Sequence, residues 1–572
     1  MSFIVLAALA FGAVAASNRY HEPMAKQRVE TGTVPSVRAA SDVSDSNDSK
    51  ALAYLDSGLR SWRDASPGSA KKYFERAIEL DPNLAPAHLY ASMLPRRIRI
   101  LRVDDEMRAH HQAASVQRAR LSPRDRALLE AQEPLMAIPP DAHAAEMRLL
   151  GVRELFPSDW IVLSLLGQTQ LAKNAFVEAA ETFDILLRND PSSAMGWLGR
   201  AFVFGSLGDT DRLRDSLDEC LRMSAFAEDC WITRMYLDMD EGRCAESEQR
   251  ARTILAMPGI GWETSVASSL ASSIYGRGGS TESVRAALAQ FSQPPAQSSS
   301  EPALPLWGEA DLYTLTGEFS KLRHIVDVWA RSAVHEKFES MHMRPFVLRF
   351  EMATELGERE VAKRLMTKYL LERDAWLTRN PYIDLDILVL SAGYRAGGLS
   401  DAEFEARRRA WLTADTSNTR GRSVRRWLDA YARVVMTQQD AAEALRVLPH
   451  YLPIASPFNR SAADDAAIGH VYLLADDLEH AIPLLQRAVN SCWALGVPFD
   501  HTWANLHLGL ALEKKGDLPG ACAAYNVVLK RWGHEPRSLS AKTARARHAA
   551  LRCSSGTVDD LVSSTFTSRP NR

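Results

Sequence analysis

The sequence predicts an all-α fold, an α-solenoid of stacked antiparallel helix hairpins, and three observations support this. Amphipathic segments of about a dozen residues alternate with short polar turns, and few segments have the alternating pattern of a strand. Small, aromatic and proline residues recur at an interval of about 34 residues. The chain has 572 residues, too many for one ordinary hydrophobic core, and a repeat array would distribute its apolar residues over many small cores.

The chain begins with an apolar segment that is followed by a polar one. Residues 3–16 have the length of a signal-peptide hydrophobic region and end in small residues that provide a cleavage pattern. Basic residues follow this run rather than precede it, which opposes a signal peptide and, if the run were a membrane span, would keep the body cytoplasmic, so the side of the membrane stays open. We therefore expect residues 1–17 to be a signal or anchor segment of a cell-envelope protein, membrane-anchored or exported, with a cytoplasmic chain as the alternative. Residues 18–50 are polar and without periodicity, and they are expected to form a flexible linker.

Residues 51–84 contain the most complete repeat. Two antiparallel helices approach closely only where the side chains at the contact are small, and aromatic side chains then fill the remaining space. A proline cannot donate a hydrogen bond within a continuing helix, so it ends the hairpin. The positions of the pattern are Tyr54, Gly58, Ala70, Phe74, Ala77 and Pro82. These matches predict a helix hairpin in this window.

The pattern recurs further along the chain. It is found in three consecutive windows, 126–159, 160–193 and 194–227, and again around Gly469 and Gly509. Elsewhere it fades, but four segments still divide into two amphipathic helices around a turn, and such pairs extend a solenoid. The four segments are 229–255, 262–291, 304–334 and 344–371.

Two helix starts are marked by capping residues. Ser122 precedes Pro123, and Asp125 follows in the first turn. Ser400 and Glu403 have the spacing of a capping box. Helices are therefore predicted to begin directly after Ser122 and Ser400.

Changes in composition divide the helical region into two blocks. Residues 292–303 are rich in Pro and Ser, which is typical of a linker, and residues 413–422 are a second candidate. The predicted organisation is an N-terminal block at 51–291, the linker at 292–303, a C-terminal block at 304–553 and a disordered tail at 554–572. We expect some freedom of movement between the two blocks.

The pattern of residues 51–84 resembles the tetratricopeptide repeat (TPR). Two stretches, RLSPRDRALLEA at 120–131 and residues 516–553, are similar to TPR regions carried behind the kinase domain of certain bacterial serine/threonine protein kinases. In those proteins one membrane span joins a cytoplasmic kinase to the repeats. The resemblance implies a sensor or docking arm in bacterial envelope signalling. An alternative is the sensor or regulatory region of a kinase whose catalytic domain is absent from this chain.

No chemical motif in the sequence predicts an enzyme. The chain has no G-x-G-x-x-G loop, H-R-D loop or D-F-G motif, so the groups that hold ATP and magnesium in a kinase are missing. The glycines at 276–279 are expected to form a turn in a helix hairpin, because no strand precedes them. His335-Glu336 and His110-His111 lack the further ligands of a zinc site. We therefore expect no catalytic residue, no cofactor and no metal.

The cysteines and the charges exclude further classes of protein. The six cysteines show no C-x-x-C pair and no regular spacing, so we expect buried single thiols rather than disulfides or a zinc site. The net charge of −3 favours no polyanionic partner, and no nucleic acid is expected. The basic clusters at 96–126 and 407–426 either bind an acidic ligand or cover apolar helix flanks with the aliphatic part of each side chain while the charged end stays in water. Their role stays open.

Binding is the function that the pattern favours. Stacked hairpins curve so that the first helix of each pair lines a concave groove, which suits a protein or peptide ligand. In windows 160–193 and 194–227 the residues expected to face the groove are Gln168, Met195, Leu198 and Phe202. Docking of a partner is our hypothesis for them, and packing against the adjacent hairpin is the alternative. The sequence thus predicts a non-enzymatic scaffold and leaves its oligomeric state undetermined.

Overall fold

Helix hairpins build the described part of the protein. The computed structural model describes residues 49–94, 103–137, 140–257, 263–290, 304–332, 339–379, 385–413, 424–451 and 462–553. These residues form 27 α-helices and no strand, and the helices belong to one compact unit. The predicted all-α solenoid is confirmed.

The first fourteen helices cover the predicted N-terminal block. They are α1 Ser49–Arg63, α2 Pro67–Leu80, α3 Ala85–Met93, α4 Asp105–Val116, α5 Pro123–Met136, α6 Ala142–Leu155, α7 Trp160–Ala172, α8 Phe176–Asn189, α9 Ala194–Leu207, α10 Thr210–Met223, α11 Glu228–Asp240, α12 Cys244–Leu255, α13 Glu263–Gly276 and α14 Thr281–Gln290. The three consecutive windows contain α5–α6, α7–α8 and α9–α10, so the predicted hairpins are confirmed there.

The remaining thirteen helices follow residue 303. They are α15 Leu304–Leu315, α16 Phe319–Ser332, α17 Glu339–Leu356, α18 Arg359–Arg379, α19 Leu385–Arg395, α20 Asp401–Thr413, α21 Val424–Ala430, α22 Gln438–Val447, α23 Ala462–Leu474, α24 Leu478–Asn490, α25 Pro498–Lys515, α26 Leu518–Trp532 and α27 Leu539–Ala550. A 3₁₀ turn, Ala432–Val434, follows α21. None of the helices in the described ranges combines the length and the hydropathy needed to cross a membrane.

The predicted caps form as expected. The Ser122 hydroxyl accepts a hydrogen bond from the backbone N–H of Asp125 at 3.1 Å, with Pro123 in the first turn of α5. The Glu403 carboxylate accepts from the backbone N–H of Ser400 at 2.9 Å, at the start of α20. Each cap satisfies a backbone donor that has no partner within the helix, and so the helix starts where the sequence predicts.

Small residues set the distance between the helices of a hairpin. The aromatic ring of Phe74 lies against Gly58, and that of Tyr525 lies against Gly509. The Phe183 ring lies against both Gly167 on α7 and Gly199 on α9. No side chain larger than hydrogen fits at these glycines unless the ring moves, so the ring and the glycine together fix the helix spacing.

The first hairpin packs against helices that are far away in sequence. Helix α1 contacts α9, and α2 contacts α11. The Arg63 guanidinium donates two hydrogen bonds of 2.7 Å to the Asp190 carboxylate. The backbone N–H of Asp229 donates to the Ala65 carbonyl at 3.1 Å. The solenoid therefore curves tightly enough for its first repeat to touch residues beyond 220.

The C-terminal hairpins likewise pack against the middle of the chain. The backbone N–H of Cys492 donates to the Met239 carbonyl at 2.9 Å, and the Trp532 indole donates to the Thr314 carbonyl at 2.8 Å. A hydrophobic cluster also combines residues of α11 with residues that follow α24. These contacts restrict the freedom that we expected between the two blocks. The linkers at 18–50 (up to residue 48), 292–303 and 413–422 (from residue 414), the segment at 1–17 and the tail at 554–572 lie outside the described residues.

The expectation of buried single thiols is wrong. All six cysteines are paired, as Cys220–Cys230, Cys244–Cys492 and Cys522–Cys553, with Cα–Cα distances of 6.4, 5.5 and 5.6 Å. A disulfide requires Cα atoms within about 7 Å, which is a condition on the fold and not on the sequence spacing. The long-range packing brings together cysteines that are 248 positions apart in the second pair.

Candidate functional site

The four residues expected to face a groove lie in or near the packed interior. Met195 and Leu198 have 0% exposure and Gln168 has 4%, whereas Phe202 is half-buried. The Gln168 side-chain amide lies 3.8 Å from the Met195 sulfur, so the structure brings these two together. Three of the four side chains therefore have no surface with which to contact a partner in this conformation.

Packing against the adjacent hairpin and against helix α1 accounts for this burial, because α9 contacts both α7 and α1. Leu55 and Trp62 of α1 share one hydrophobic cluster with Met195 and Leu198 of α9. The Trp62 ring also contacts the Trp160 ring edge-on, at a centroid distance of 5.5 Å. The space beside α9 is thus occupied by the chain's own first hairpin, a contact across more than 130 residues that the repeat pattern does not reveal.

A different face of α9 reaches the surface. Trp197, Arg200, Phe204 and Leu207 are partly or fully exposed and follow a helical spacing. The Arg200 guanidinium lies over the Trp197 ring at 5.4 Å and over the Phe204 ring at 5.3 Å. Arg212 of α10 lies over the Phe204 ring at 5.3 Å. We call this set, Trp197, Arg200, Phe204, Leu207 and Arg212, the α9 stripe. Its spacing in the sequence was a signal that the groove prediction did not use.

A cavity of about 300 Å³ lies among the helices of the C-terminal block. Its walls come from α17, α19, the 3₁₀ turn, α23, α25 and the start of α27. Met436 and Leu539 line it and are 45% and 47% exposed, so it reaches the surface. The cavity, which we call the central cavity, is lined by both apolar and charged side chains, a composition typical of ligand sites.

Some of its charged groups are satisfied by the protein. The buried Glu355 carboxylate accepts hydrogen bonds from the Trp503 indole at 2.8 Å, from the Ser538 hydroxyl at 2.5 Å and from the backbone and hydroxyl of Ser540 at 2.9 and 2.7 Å. Arg433 donates to Asp464 at 2.6 Å. These groups form the fixed wall of the cavity.

Two further charged groups line the cavity, and a third lies close by. Arg395 on α19 and Asp500 on α25 line it, and the charges of Asp500 and of Glu351 on α17 act on Arg395. Burial, with Asp500 nearby, raises the pKa of Glu351 to about 7. The Arg395 guanidinium lies over the Trp503 ring at 5.2 Å, and burial lowers its pKa. All three side chains are half-buried.

Two stacked histidines complete the polar lining. The rings of His470 on α23 and His507 on α25 are parallel within 4° at a centroid distance of 3.8 Å. Burial, with the Arg395 charge nearby, lowers the pKa of His470 to about 4. Burial also lowers the pKa of His507 well below its usual range. Both rings are therefore neutral at pH 7.

Sequence reasoning missed the central cavity for a physical reason. Its polar residues are spread over residues 354–540, and none of them lies in a recognisable motif. The only signal in the sequence was the presence of charged residues within apolar helix faces, as at Arg395 in α19. That signal is too general to identify a site.

Several arginines of the basic clusters are held by the protein itself. Arg124 donates to Asp159 at 2.9 Å and to Asp125 at 2.6 Å. Arg408 donates to Glu443 at 2.8 Å, and Arg426 donates to the Trp411 carbonyl at 2.8 Å. The expectation that these arginines cover helix flanks with their heads in water is wrong for Arg124, Arg408 and Arg426, because their heads are buried and hydrogen-bonded. Residues 96–102 and 414–423 lie outside the described ranges.

The remaining candidates have structural positions. Helix α13 ends at Gly276 and α14 begins at Thr281, so the predicted hairpin turn at 276–279 is confirmed. His110 Nδ1 lies 3.0 Å from His88 Nδ1, and His111 Nε2 lies 3.1 Å from the Leu129 carbonyl. In the described ranges no three His, Cys, Asp or Glu residues are grouped as a metal site requires. His335-Glu336 lies outside those ranges.

Comparison with known proteins identifies the repeats. The family described as tetratricopeptide repeat matches at residues 66–84 and at residues 503–533. The first match lies across α2, and the second covers α25 and α26. No curated protein matches the chain.

Several solved structures also show similarity to the chain. The TPR domain of P58(IPK) is 13% identical, covers 72% of this chain and 100% of its own, and has a TM-score of 0.19. Naa15/Naa10 bound to HypK-THB is 13% identical, covers 72% of this chain and 63% of its own, and has a TM-score of 0.22. Yeast Tom70 is 12% identical, covers 91% of this chain and 99% of its own, and has a TM-score of 0.26. The two family matches thus lie near the two ends of the described part of the chain.

Proposed function

We propose that this protein is a non-enzymatic scaffold that docks a protein or peptide partner through the α9 stripe. The observation that supports the proposal is a solenoid of stacked hairpins in which half-buried aromatic rings lie beneath arginine guanidinium groups at the surface. Aromatic and arginine side chains contribute most of the energy in protein interfaces. Each guanidinium has one carboxylate of the chain beside its Nε, Asp184 at 3.6 Å from Arg200 and Asp209 at 3.3 Å from Arg212. The other donors of these groups, beside apolar rings, suit a partner segment with acidic and apolar side chains.

The test uses the full chain, including residues 1–50, as bait in its native host. The double variant Arg200→Ala with Phe204→Ala removes the centre of the stripe. Leu155→Ala with Leu371→Ala is the matched control, because these side chains are 71% and 79% exposed and lie on other helices. We expect the stripe variant to lose at least about tenfold of the captured partner, and the control to lose none. Equal capture by both variants would remove the stripe as the docking site.

We also propose that the body of the protein resides in an oxidising compartment, as part of the cell envelope. The support is the pairing of all six cysteines, since disulfides persist in exported proteins and are rare in the cytosol. The apolar residues 1–17 would provide the export signal or anchor. A non-reducing peptide map of protein from the native host should contain three linked pairs, and free thiols at these positions would contradict the proposal.

A role in bacterial envelope signalling is the finer form of this proposal. It rests on the similarity of residues 120–131 and 516–553 to repeat regions of bacterial serine/threonine protein kinases. The alternative, a regulatory region of such a kinase, rests on the same similarity. The DNA upstream distinguishes the two, because an in-frame kinase reading frame favours the regulatory region, and a stop codon with a ribosome site favours an independent scaffold.

A further inference from the structure

The three disulfides differ in how well a thiol from solution can reach them. The four cysteines of the first two pairs are buried, with exposures of 0% for Cys220, Cys230 and Cys492 and 7% for Cys244. Cys522 and Cys553 are both half-buried. Exchange begins with the attack of a thiolate on one sulfur atom, so its rate depends on access to that atom. The Cys522–Cys553 pair is therefore the disulfide that a thiol can attack in the folded protein.

The residues around Cys553 favour such an attack. Residues 536–553 contain five Lys and Arg side chains and no Asp or Glu. The five are Arg537, Lys542, Arg545, Arg547 and Arg552. Arg552 is exposed and directly precedes Cys553. Positive charge attracts the incoming thiolate and stabilises the thiolate that leaves.

The disulfide fixes the end of α27, whereas other contacts fix its start. The hydroxyl groups of Ser538 and Ser540 donate to the Glu355 carboxylate at 2.5 and 2.7 Å, which holds the first turn. The residues that α27 buries are Ser540, Ala541 and Ala544, all with small side chains and all in its first half. Small side chains bury little apolar surface, so packing contributes little to holding the second half of the helix.

The turn that leads to Cys553 has an unfavourable backbone conformation. Arg552 has a φ angle of 52°, in the left-handed region that residues with a Cβ atom adopt at a cost. The backbone N–H of Arg552 donates to the Ala549 carbonyl, and that of Cys553 donates to the His548 carbonyl, both at 3.1 Å. Since the disulfide joins Cys553 to α26, it holds this turn closed. Cleavage of the disulfide would allow Arg552 to relax and the last turn of α27 to open.

We propose that the Cys522–Cys553 pair is a site of reversible thiol–disulfide exchange that releases the end of α27 when a dithiol reduces it. One thiolate of the dithiol attacks a sulfur atom of the pair and forms a mixed disulfide, while the other cysteine leaves as a thiolate. The second thiolate of the dithiol then breaks the mixed disulfide. The dithiol is oxidised to its own disulfide, and the pair takes up two electrons and two protons to become two thiols.

Release of α27 uncovers the end of the solenoid. A terminal repeat needs a polar outer face, and α27 provides one through the exposed side chains of Lys542 and Arg545. Ala544 shares a hydrophobic cluster with Tyr525 and Val528 of α26. Reduction should loosen α27 from its last turn backwards, because Glu355 still holds the first turn. This site is separate from the α9 stripe and does not depend on the proposed scaffold function.

The first experiment compares the three disulfides in the unmodified full chain. The oxidised protein is incubated with a series of dithiothreitol concentrations, free thiols are alkylated, and a peptide map identifies the modified cysteines. We expect Cys522 and Cys553 to be reduced at a concentration at least about tenfold below the one that the other four cysteines require. Reduction of either buried pair at the same or a lower concentration would overturn the proposal.

The second experiment measures the release of α27 by hydrogen exchange, at the dithiothreitol concentration that reduces this pair alone. The amides of residues 545–553 should exchange at least about tenfold faster after reduction, and those of α7 should not change. Oxidised glutathione, added after the reductant is removed, should restore slow exchange. If reduction leaves the exchange at residues 545–553 unchanged, the disulfide does not control the end of α27 and the proposal is wrong.

Two double variants separate this site from a general effect of the reductant. Cys522→Ser with Cys553→Ser should exchange fast at residues 545–553 without dithiothreitol, and its addition at the same concentration should change nothing further. Cys220→Ser with Cys230→Ser is the matched control, and it should exchange slowly there until the reductant is added. Slow exchange in the first variant would contradict the assigned role of the pair. The series on the unmodified chain decides the question if either variant does not fold.

Discussion

At the scale of the residue, Asp240 shows how burial and charge oppose each other. The Trp493 indole donates to its carboxylate at 2.6 Å, yet burial, together with the charges of Asp465 and Asp464, raises the pKa of Asp240 well above its usual range. The unfolded chain therefore ionises Asp240 at a lower pH than the folded chain does. Stability falls as the pH rises through this interval.

Asp240→Asn should thus stabilise the protein at high pH. An asparagine oxygen can still accept from Trp493 and carries no charge to bury. We expect the Tm to rise by about 1 to 3 °C at pH 8 and to change little at pH 4. Asp215→Asn, an exposed position on α10, should leave the Tm unchanged at both values. Differential scanning calorimetry gives the comparison, and a fall in Tm at pH 8 would show that the charge is favourable there.

The stacked histidines predict the opposite dependence on pH. Burial lowers the pKa of His470 to about 4 and lowers that of His507 well below its usual range. As the pH falls from 6.5, the two histidines therefore take up protons in the unfolded chain at a higher pH than in the folded chain. The stability that neutral rings contribute is present above pH 6.5 and is lost towards pH 4.

His507→Phe keeps a ring in the stack and removes one titration. The fall in Tm between pH 7 and pH 4.5 should be smaller in this variant than in the unmodified protein, by about 2 °C or more. His143→Phe is the control, because His143 is exposed on α6 and should not change the slope. Thermal melts over the pH series measure it, and identical slopes in both variants would contradict the prediction.

At the scale of the element, the contact between ring and glycine determines how a hairpin closes. A Cβ atom added at Gly167 would lie 2.6 Å from the Phe183 ring, whereas one added at Gly151 meets nothing within 4 Å. Gly167→Ala should therefore destabilise by about 1 to 3 kcal/mol through overpacking. Gly151→Ala should be neutral or stabilise by up to about 1 kcal/mol through helix propensity. Urea unfolding measures both, and equal stability of the two variants would show that α7 and α8 can move apart.

Contacts within one hairpin were predictable from the sequence, whereas contacts between distant helices were not. The contact of Gly58 with Phe74 lies within one repeat, so its spacing is visible in the sequence. The contact of α1 with α9, the pairing of Cys244 with Cys492 and the meeting of Arg395 and Asp500 in one cavity arise only in the folded chain. Local hairpins follow from local spacing, whereas the groove, the disulfides and the central cavity depend on how far the solenoid curves.

At the scale of the whole molecule, both ends of the described chain pack against its middle. Helices α1 and α2 contact α9 and α11, and α25 and α27 contact α15 and α17. In an open solenoid each repeat contacts only its neighbours, and stability is a sum of neighbouring terms. Here the end repeats add contacts across long stretches of sequence. Loss of one end should therefore weaken helices that are distant in the chain.

The Cys244–Cys492 disulfide tests this view of the molecule. It closes a loop of 248 residues, whereas Cys522–Cys553 closes one of 31 residues within the last hairpins. The chain-entropy argument gives about 5.5 kcal/mol for the longer loop and about 3.7 kcal/mol for the shorter one. The longer disulfide also holds the C-terminal hairpins against α12, so its loss should release the packing across the molecule as well.

We expect Cys244→Ser with Cys492→Ser to lower the Tm more than Cys522→Ser with Cys553→Ser does. Limited proteolysis should then cleave the first variant at additional sites in residues 462–553, because the hairpins there lose their covalent link to the middle of the chain. The second variant should keep the protection of residues 462–515 and lose it only near α26 and α27. Calorimetry with a peptide map of the cleavage products measures both effects. Equal losses of Tm and the same cleavage sites in the two variants would mean that the non-covalent contacts alone hold the C-terminal hairpins in place.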